Sequence, residues 1–373
     1  MPKLAVLMYT MSTPIHLAKD PCSYAYYLAK ECGYDASYVY FGEKPLHDVE
    51  FEKYCHLKYL GSESDFRKEI EVGKSWLKEN ARDLDVLMLF NYGTSTYRTA
   101  NYAKEINPNI KIWCKLDMSE QGFAHFYDGS ISRKIKSTIE YIKGRNVDLY
   151  TVENKQFFNI LKKHIAFKNR LQYLPNCVSL RGVKEKICKK EENIVITVGR
   201  LGDWYKNNEL LIEAIKKLPK EIVKKWKFYL VGPYTDEFKK YFDVEKKNNE
   251  TLFESIVLTG PIYDRNKLYE LYSKTKIFTL TSRSESFGIA AVEAMWNGAY
   301  PVLTNYGSIT KDITDDGRVG IIVDKMDSKS VAKALQKAMV TDINYGEVQD
   351  YCKKNYSYSL WVKQLNTYLF ENA

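Results

Sequence analysis

The stretch "SRSESFGIAAVEAMWNGAYPVLTNYGS", Ser282 to Ser308, decides how this chain is read. From Phe287 to Trp296 it runs F-G-I-A-A-V-E-A-M-W, apolar on nearly every side, which is the pattern of a helix packed against several neighbours. The β-rich runs "KIFTLTS" and "YPVLTN" lie on either side of it, giving strand, helix, strand. One residue interrupts the apolar pattern, Glu293. A buried carboxylate is costly unless something donates hydrogen bonds to it. A second glutamate, Glu285, precedes the Gly288 that opens the helix.

Working outward, the second half of the chain repeats this alternation. Strand patterns "NIVITVG", "KFYLVG", "SIVLTG", "KIFTLTS", "YPVLTN" and "GIIVD" are each followed by helical pattern. The first half does the same with "KLAVLMYT", "ASYVYF", "DVLMLFNY", "IKIWCKLD", "DLYTVEN" and "LQYLP", with helices predicted over Asp65 to Ala81 and Thr96 to Asn107. Such alternation predicts an α/β chain whose parallel sheets carry helices on both faces. Between the halves, "LPNCVSLRGVKEKICKKEEN" has no periodicity and reads as a linker. The expected organisation is two doubly wound, Rossmann-like domains, 1–178 and 190–355, facing across a cleft, with a terminal helix in 356–373 packing back on the first. Open sheets of this kind bind ligands beyond the carboxyl ends of their strands.

The bulk numbers agree. A chain of 373 residues suits two domains, and 45% hydrophobic with 28% charged residues describes a globular protein. No apolar run approaches the roughly 20 residues of a membrane span. "MPKLAVLMYT" reads as a first strand rather than a signal peptide, so a cytoplasmic location is expected. Seven cysteines are scattered without a C-x-x-C pair, and five histidines without metal-ligand spacing, so neither disulfides nor a structural metal is expected. The net charge of +9 suits an anionic partner, but acids and bases interleave without an arginine-rich stripe, and nucleic acid is not expected. Two segments are more basic, Ser132 to Arg145 and Lys220 to Phe228; each reads as a solvated helix face or as attachment to anionic lipid.

Two places concentrate possible chemistry. After strand "NIVITVGR", Gly199 and Arg200 precede Lys206 at the mouth of a helix. Two cations around a glycine-containing turn offer what a diphosphate needs, close backbone approach and charged donors. The alternative is surface ion pairing of Arg200 and Lys206 with Asp203 and Glu209. In the opening stretch, the turn Ser286-Phe287-Gly288-Ile289 presents backbone N–H groups at a helix start, where an anion is favoured. Glu293 would then accept hydrogen bonds from vicinal hydroxyls of a ribose, or else pair with an arginine or lysine.

Taken together, "VGRLGDWYKN" and "SRSESFGIAAVEAMWNGAYPVLTNYGS" resemble the retaining glycosyltransferases of family 4, glycosyl transferases group 1, which have the GT-B fold. The family's E-x7-E is Glu285 and Glu293, and the resemblance runs from Gly199 to Asp324. It implies Arg200 and Lys206 on a donor's diphosphate, Glu293 on its ribose and Glu285 on its sugar hydroxyls. The Gly288 and Ile289 amides would face phosphate or sugar, and the base would lie against backbone at Ile262 and Tyr263. In the first half, "TMSTPIHLAKDPCS" lacks the Gly-Gly turn common in the family. Where relatives carry a polar residue such as histidine, this chain has "CKLDMSEQG", and Asp117 is the candidate for orienting sugar or acceptor, or else a turn residue. The D-x-D at Asp83 to Asp85 leads into a strand, unlike metal-binding D-x-D motifs that follow one.

The implied activity is transfer, with retention, from a nucleotide-sugar, UDP-linked by first choice, to a glycan or lipid-linked hydroxyl in bacterial surface polysaccharide or glycoconjugate synthesis. No metal or other cofactor is expected, and peripheral contact with an anionic membrane at its inner face is compatible with the basic segments. A nucleotide-sugar epimerase of the same fold would need an acid/base set that the sequence does not offer. A non-catalytic GT-B subunit would be expected to have lost the charged donor residues.

Overall fold

The computed structural model describes residues 1–20, 22–63, 65–118, 131–185 and 188–370. Ser119 to Gly122 of the "CKLDMSEQG" stretch, two linker positions and the last three residues of the expected terminal helix lie outside them. The chain divides into two compact units, Met1–Arg181 with Ser357–Ala373, and Gly182–Tyr356.

The first unit carries β1 (Lys3–Met11), β2 (Asp35–Phe41), β3 (Cys55–Gly61), β4 (Val86–Phe90), β5 (Lys111–Lys115), β6 (Leu149–Val152) and β7 (Leu171–Tyr173). Among the described residues these form one sheet in the order β3-β2-β1-β4-β5-β6-β7, with every pair parallel. Strand periodicity explains why both faces are covered. Leu4, Val6 and Met8 enter one apolar cluster, whereas Ala5 and Leu7 enter the other. β3 escapes a hydrophobicity reading because it is an edge strand whose His56 and Lys58 are exposed. Asp85 sits at the start of β4 and its carboxylate accepts from the Lys3 amide at 2.7 Å, so the D-x-D does lead into a strand.

The terminal helix, Tyr358–Phe370, belongs to this first unit. Its Tyr358, Val362, Leu365 and Leu369 recur at helical spacing and enter the same cluster as the helix Cys22–Cys32. Tyr358 stacks on Tyr27 at 4.7 Å and meets Tyr24 edge-on at 4.9 Å between ring centroids. Part of the expected linker is also core here. Leu174, Cys177 and Val178 are buried, and the Tyr24 hydroxyl donates to the Pro175 carbonyl. The segment lacks periodicity because single residues, not a regular face, are inserted.

The second unit carries β8 (Ile194–Val198), β9 (Lys227–Val231), β10 (Ile256–Gly260), β11 (Ile277–Leu280), β12 (Tyr300–Thr304) and β13 (Ile321–Val323). They form a parallel sheet in the order β10-β9-β8-β11-β12-β13. The chain runs outward from β8 through β9 to β10, then returns to lay β11 on the other side of β8. Adjacent β8 and β11 thus define a topological switch point, where the loops leaving neighbouring strands diverge and leave room for a ligand.

Leu365, fully buried, and Leu360, 53% exposed, lie on opposite sides of the terminal helix. Leu365→Ala is expected to destabilise the first unit by about 2–5 kcal/mol, read as an earlier urea transition, while Leu360→Ala stays within about 0.5 kcal/mol of wild type. Equal effects would mean the helix is not docked by this face.

Candidate functional site

Lys206 follows β8 and Glu285 follows β11, so the two loops at the switch point each deliver one charge. They meet in a two-pronged ion pair, with Lys206 Nζ 2.6 Å from Glu285 Oε1 and 2.8 Å from Oε2. The side chains are only 21% and 10% exposed. The Ser282 hydroxyl donates to Oε1 of the same carboxylate at 2.6 Å. The loops are stitched together by further bonds: Thr281 Oγ1 donates to the Asn207 carbonyl at 2.9 Å, Thr304 Oγ1 to the Ser282 carbonyl at 2.7 Å, and the Arg283 amide to the Tyr205 carbonyl at 2.7 Å. This geometry replaces the Lys206–Glu209 pairing considered from sequence. Arg200 does pair with Asp203, at 2.8 Å, with 70% of its side chain exposed.

Gly199 joins the sheet through its amide, which donates to the Val231 carbonyl at 3.0 Å. A Cβ there would make ordinary contact with the Lys206 stem at 3.7 Å. The glycine that close approach demands is its neighbour across the sheet, Gly232. Its φ is +140°, and a Cβ would lie 1.8 Å from the Gly199 carbonyl oxygen. Sequence reading missed it because the constraint comes from the adjacent strand.

The helix begins two residues later than the apolar run, at Ile289, and ends at Trp296. Gly288 precedes it in the left-handed region, φ +88°, and a Cβ there would sit 2.8 Å from the Tyr306 hydroxyl. That hydroxyl is buried beneath the turn, and burial followed by the nearby Glu285 charge holds its pKa well above the ordinary tyrosine value. The helix is not enclosed on all sides as its composition suggests. Ile289, Ala290 and Glu293 share a face and all are only partly buried. Glu293 lies on that partly buried face, its side chain 19% exposed, with Arg265 Nη2 4.0 Å from its Oε1. A cation does stand near it, though at the outer limit of an ion pair. Arg265 opens the helix Arg265–Lys274, capped by the Asp264 carboxylate, which accepts from the Asn266 amide at 2.9 Å. Ile262 and Tyr263 immediately precede that cap, after β10, and Tyr263 is 87% exposed. Glu293, Arg265 and the Ile262-Tyr263 turn are thus linked at the carboxyl edge of one sheet.

In the first unit Asp117 is exposed just past β5, its amide donating to Asn91 Oδ1 at 2.9 Å. Beside it lies a buried charge cluster that sequence reading did not find. Lys115 Nζ is 3.3 Å from Asp20 Oδ2 and donates to Asn176 Oδ1 at 2.8 Å, while Tyr358 donates to Asp20. Glu153, at the end of β6, accepts from the Met118 amide at 2.9 Å through Oε1, and its Oε2 has no hydrogen-bond partner among the described residues. Burial, opposed by Lys115 and reinforced by Asp117, pushes the Glu153 carboxyl up to about 8.

Two parallel α/β sheets with these strand orders, each flanked by helices, are the GT-B fold. Solved structures agree: Anabaena HepE, determined in complex with UDP and glucose, superposes over 100% of both chains with a TM-score of 0.66 at 14% identity. Residues 183–356 match the family described as Glycosyl transferases group 1. An uncharacterized 41.2 kDa protein in the cps region of Klebsiella pneumoniae is 28% identical over 54% of this chain and 55% of its own length. The GDP-mannose:cellobiosyl-diphosphopolyprenol alpha-mannosyltransferase of Xanthomonas campestris is 25% identical over 46% of this chain and 44% of its own. The chain thus spans about half the length of these curated relatives.

Because folded Glu153 keeps its proton to about pH 8 while the unfolded side chain ionises near 4.5, folding takes up a proton between those values. Stability present at pH 5 is therefore expected to decline toward pH 8. In thermal unfolding, Glu153→Gln should match wild type at pH 5 and lose less stability by pH 8; parallel curves would show that Glu153 does not carry the buried proton.

Proposed function

We propose that this protein is a glycosyltransferase that moves a sugar from a nucleoside-diphosphate sugar to a hydroxyl of a glycan or lipid-linked acceptor, with retention of configuration and without a metal. The observation that carries the reading is the Lys206–Glu285 pair, held at the switch point beside an open helix start, within the segment that matches group 1 glycosyltransferases. In this reading the donor's diphosphate takes over Lys206, joined by Arg200 and the amides at Gly288 and Ile289, with Ser286 and Phe287 shaping the turn. Fixed cations and N–H dipoles then stabilise the charge that develops on the departing diphosphate. Glu285, released from Lys206, orients the donor sugar through its hydroxyls. Glu293 holds the ribose, and the base rests on the backbone at Ile262 and Tyr263. The acceptor hydroxyl attacks from the face the diphosphate leaves, and its proton passes to the leaving phosphate. Asp117 is the proposed residue of the first unit that orients sugar or acceptor.

UDP, present in the Anabaena neighbour, is the first nucleotide to test, and GDP, named in the Xanthomonas relative, the second. The cps-region relative and the cellobiosyl-diphosphopolyprenol mannosyltransferase support a role in bacterial surface polysaccharide synthesis. No helix among the described residues is long and apolar enough to cross a membrane. For a lipid-linked acceptor the reading puts the enzyme at the cytoplasmic face of the membrane. Contact there would run through the helix Ile131–Lys143, on which Ile135, Ile139 and Ile142 are exposed.

The test is calorimetric titration with UDP, GDP, dTDP and ADP in the presence of EDTA. One nucleotide should bind, and Glu293→Ala should weaken it. With that nucleotide's sugars as donors, Lys206→Ala should lower kcat/KM by about 10²–10³-fold. Binding only when Mn²⁺ or Mg²⁺ is restored would overturn metal independence, and no binding at all would overturn the donor site.

A further inference from the structure

Trp204 and Tyr205, on the loop after β8, are 65% and 48% exposed. An indole offers one of the largest apolar surfaces a chain possesses, and leaving one in water is unusual when a core is at hand. These two rings are nevertheless held in place. The Asp203 carboxylate accepts from the Tyr205 amide at 2.9 Å, and the Asp203 carbonyl accepts from the Lys206 and Asn207 amides at 2.8 and 3.1 Å, closing a tight turn. Across from it, Arg283 clamps the loop twice, its amide donating to the Tyr205 carbonyl at 2.7 Å and its Nη1 to the Trp204 carbonyl at 2.6 Å. The Arg283 guanidinium lies 4.9 Å from the Trp204 ring centroid, and the Tyr205 ring meets Trp204 edge-on at 5.2 Å. The tryptophan, two residues before Lys206, is thus exposed yet braced by Arg283 and Tyr205.

We propose that Trp204, braced by Arg283 and Tyr205, is a platform for a pyranose ring. A pyranose carries its hydroxyls around the rim and leaves patches of C–H bonds on its faces. Those C–H bonds are apolar and weakly positive, which suits the negative face of an indole. The Arg283 guanidinium lies over one face of the indole, so the pyranose would stack on the part of the ring that is left exposed. The sugar belongs either to the donor or to the acceptor glycan, and both would present this chemistry beside Lys206 and Glu285. The inference rests on reading those loops as a sugar-transfer site, but its test does not need a nucleotide.

The experiment is saturation-transfer difference NMR on the full chain with methyl α-D-glucopyranoside, galactopyranoside and mannopyranoside. Wild type and Trp204→Phe should transfer saturation to ring C–H protons of at least one glycoside. Trp204→Ala, checked for folding by circular dichroism, should lose that signal. No transfer in wild type, or equal transfer in Trp204→Ala, would overturn the platform. Adding UDP-glucose, UDP-galactose or GDP-mannose separates the sources: displacement of the glycoside assigns the platform to the donor sugar, and persistence assigns it to the acceptor. If wild type gives the glycoside signal but binds no nucleotide, the donor-site reading fails while the platform stands.

Discussion

One ion pair organises the carboxyl edge of the second sheet. Lys206 and Glu285 belong to different loops, 79 residues apart in the chain. Their charges are mostly withdrawn from water, so each needs the other; removing either would leave its partner desolvated and unpaired. The same pair is suited to exchange. A diphosphate offers Lys206 a stronger, multivalent anion, and once Lys206 moves, the carboxylate of Glu285 becomes available to hydroxyls.

The fold brings this pair together. Because β8 and β11 are neighbours in the sheet but far apart in sequence, their loops leave the same edge in diverging directions. Gly232 lets the backbone of β9's loop press against Gly199, and Thr281, Thr304 and Arg283 tie the remaining loop carbonyls. The pair is thus fixed by backbone contacts on several sides, the condition under which a charged group can be positioned in advance of its ligand.

How much of this was legible in the sequence follows from where each constraint originates. Strands written as continuous apolar runs were visible, β8 to β13 with the edge strands β10 and β13 among them, while edge strand β3, whose run is broken by His56 and Lys58, was not. Glu285 and Gly288 stood out because helix, turn and carboxylates are contiguous. Arg265 and Tyr306 did not, since they reach the same place from other loops. The apolar run around Glu293 suggested full enclosure, yet Ile289, Ala290 and Glu293 are only partly buried; composition reports hydrophobicity, not which side a neighbour covers. The Asp20–Lys115–Glu153 cluster was invisible for the same reason, being assembled from three segments and closed by Tyr358 of the terminal helix.

The most direct measurement of the central claim is a crystal structure of the protein with a bound nucleoside diphosphate. The account requires Lys206 Nζ to have left Glu285 for a phosphate oxygen, with the diphosphate lying against the amides at Gly288 and Ile289. A complex in which the Lys206–Glu285 pair persists unchanged while the nucleotide is held elsewhere would contradict it.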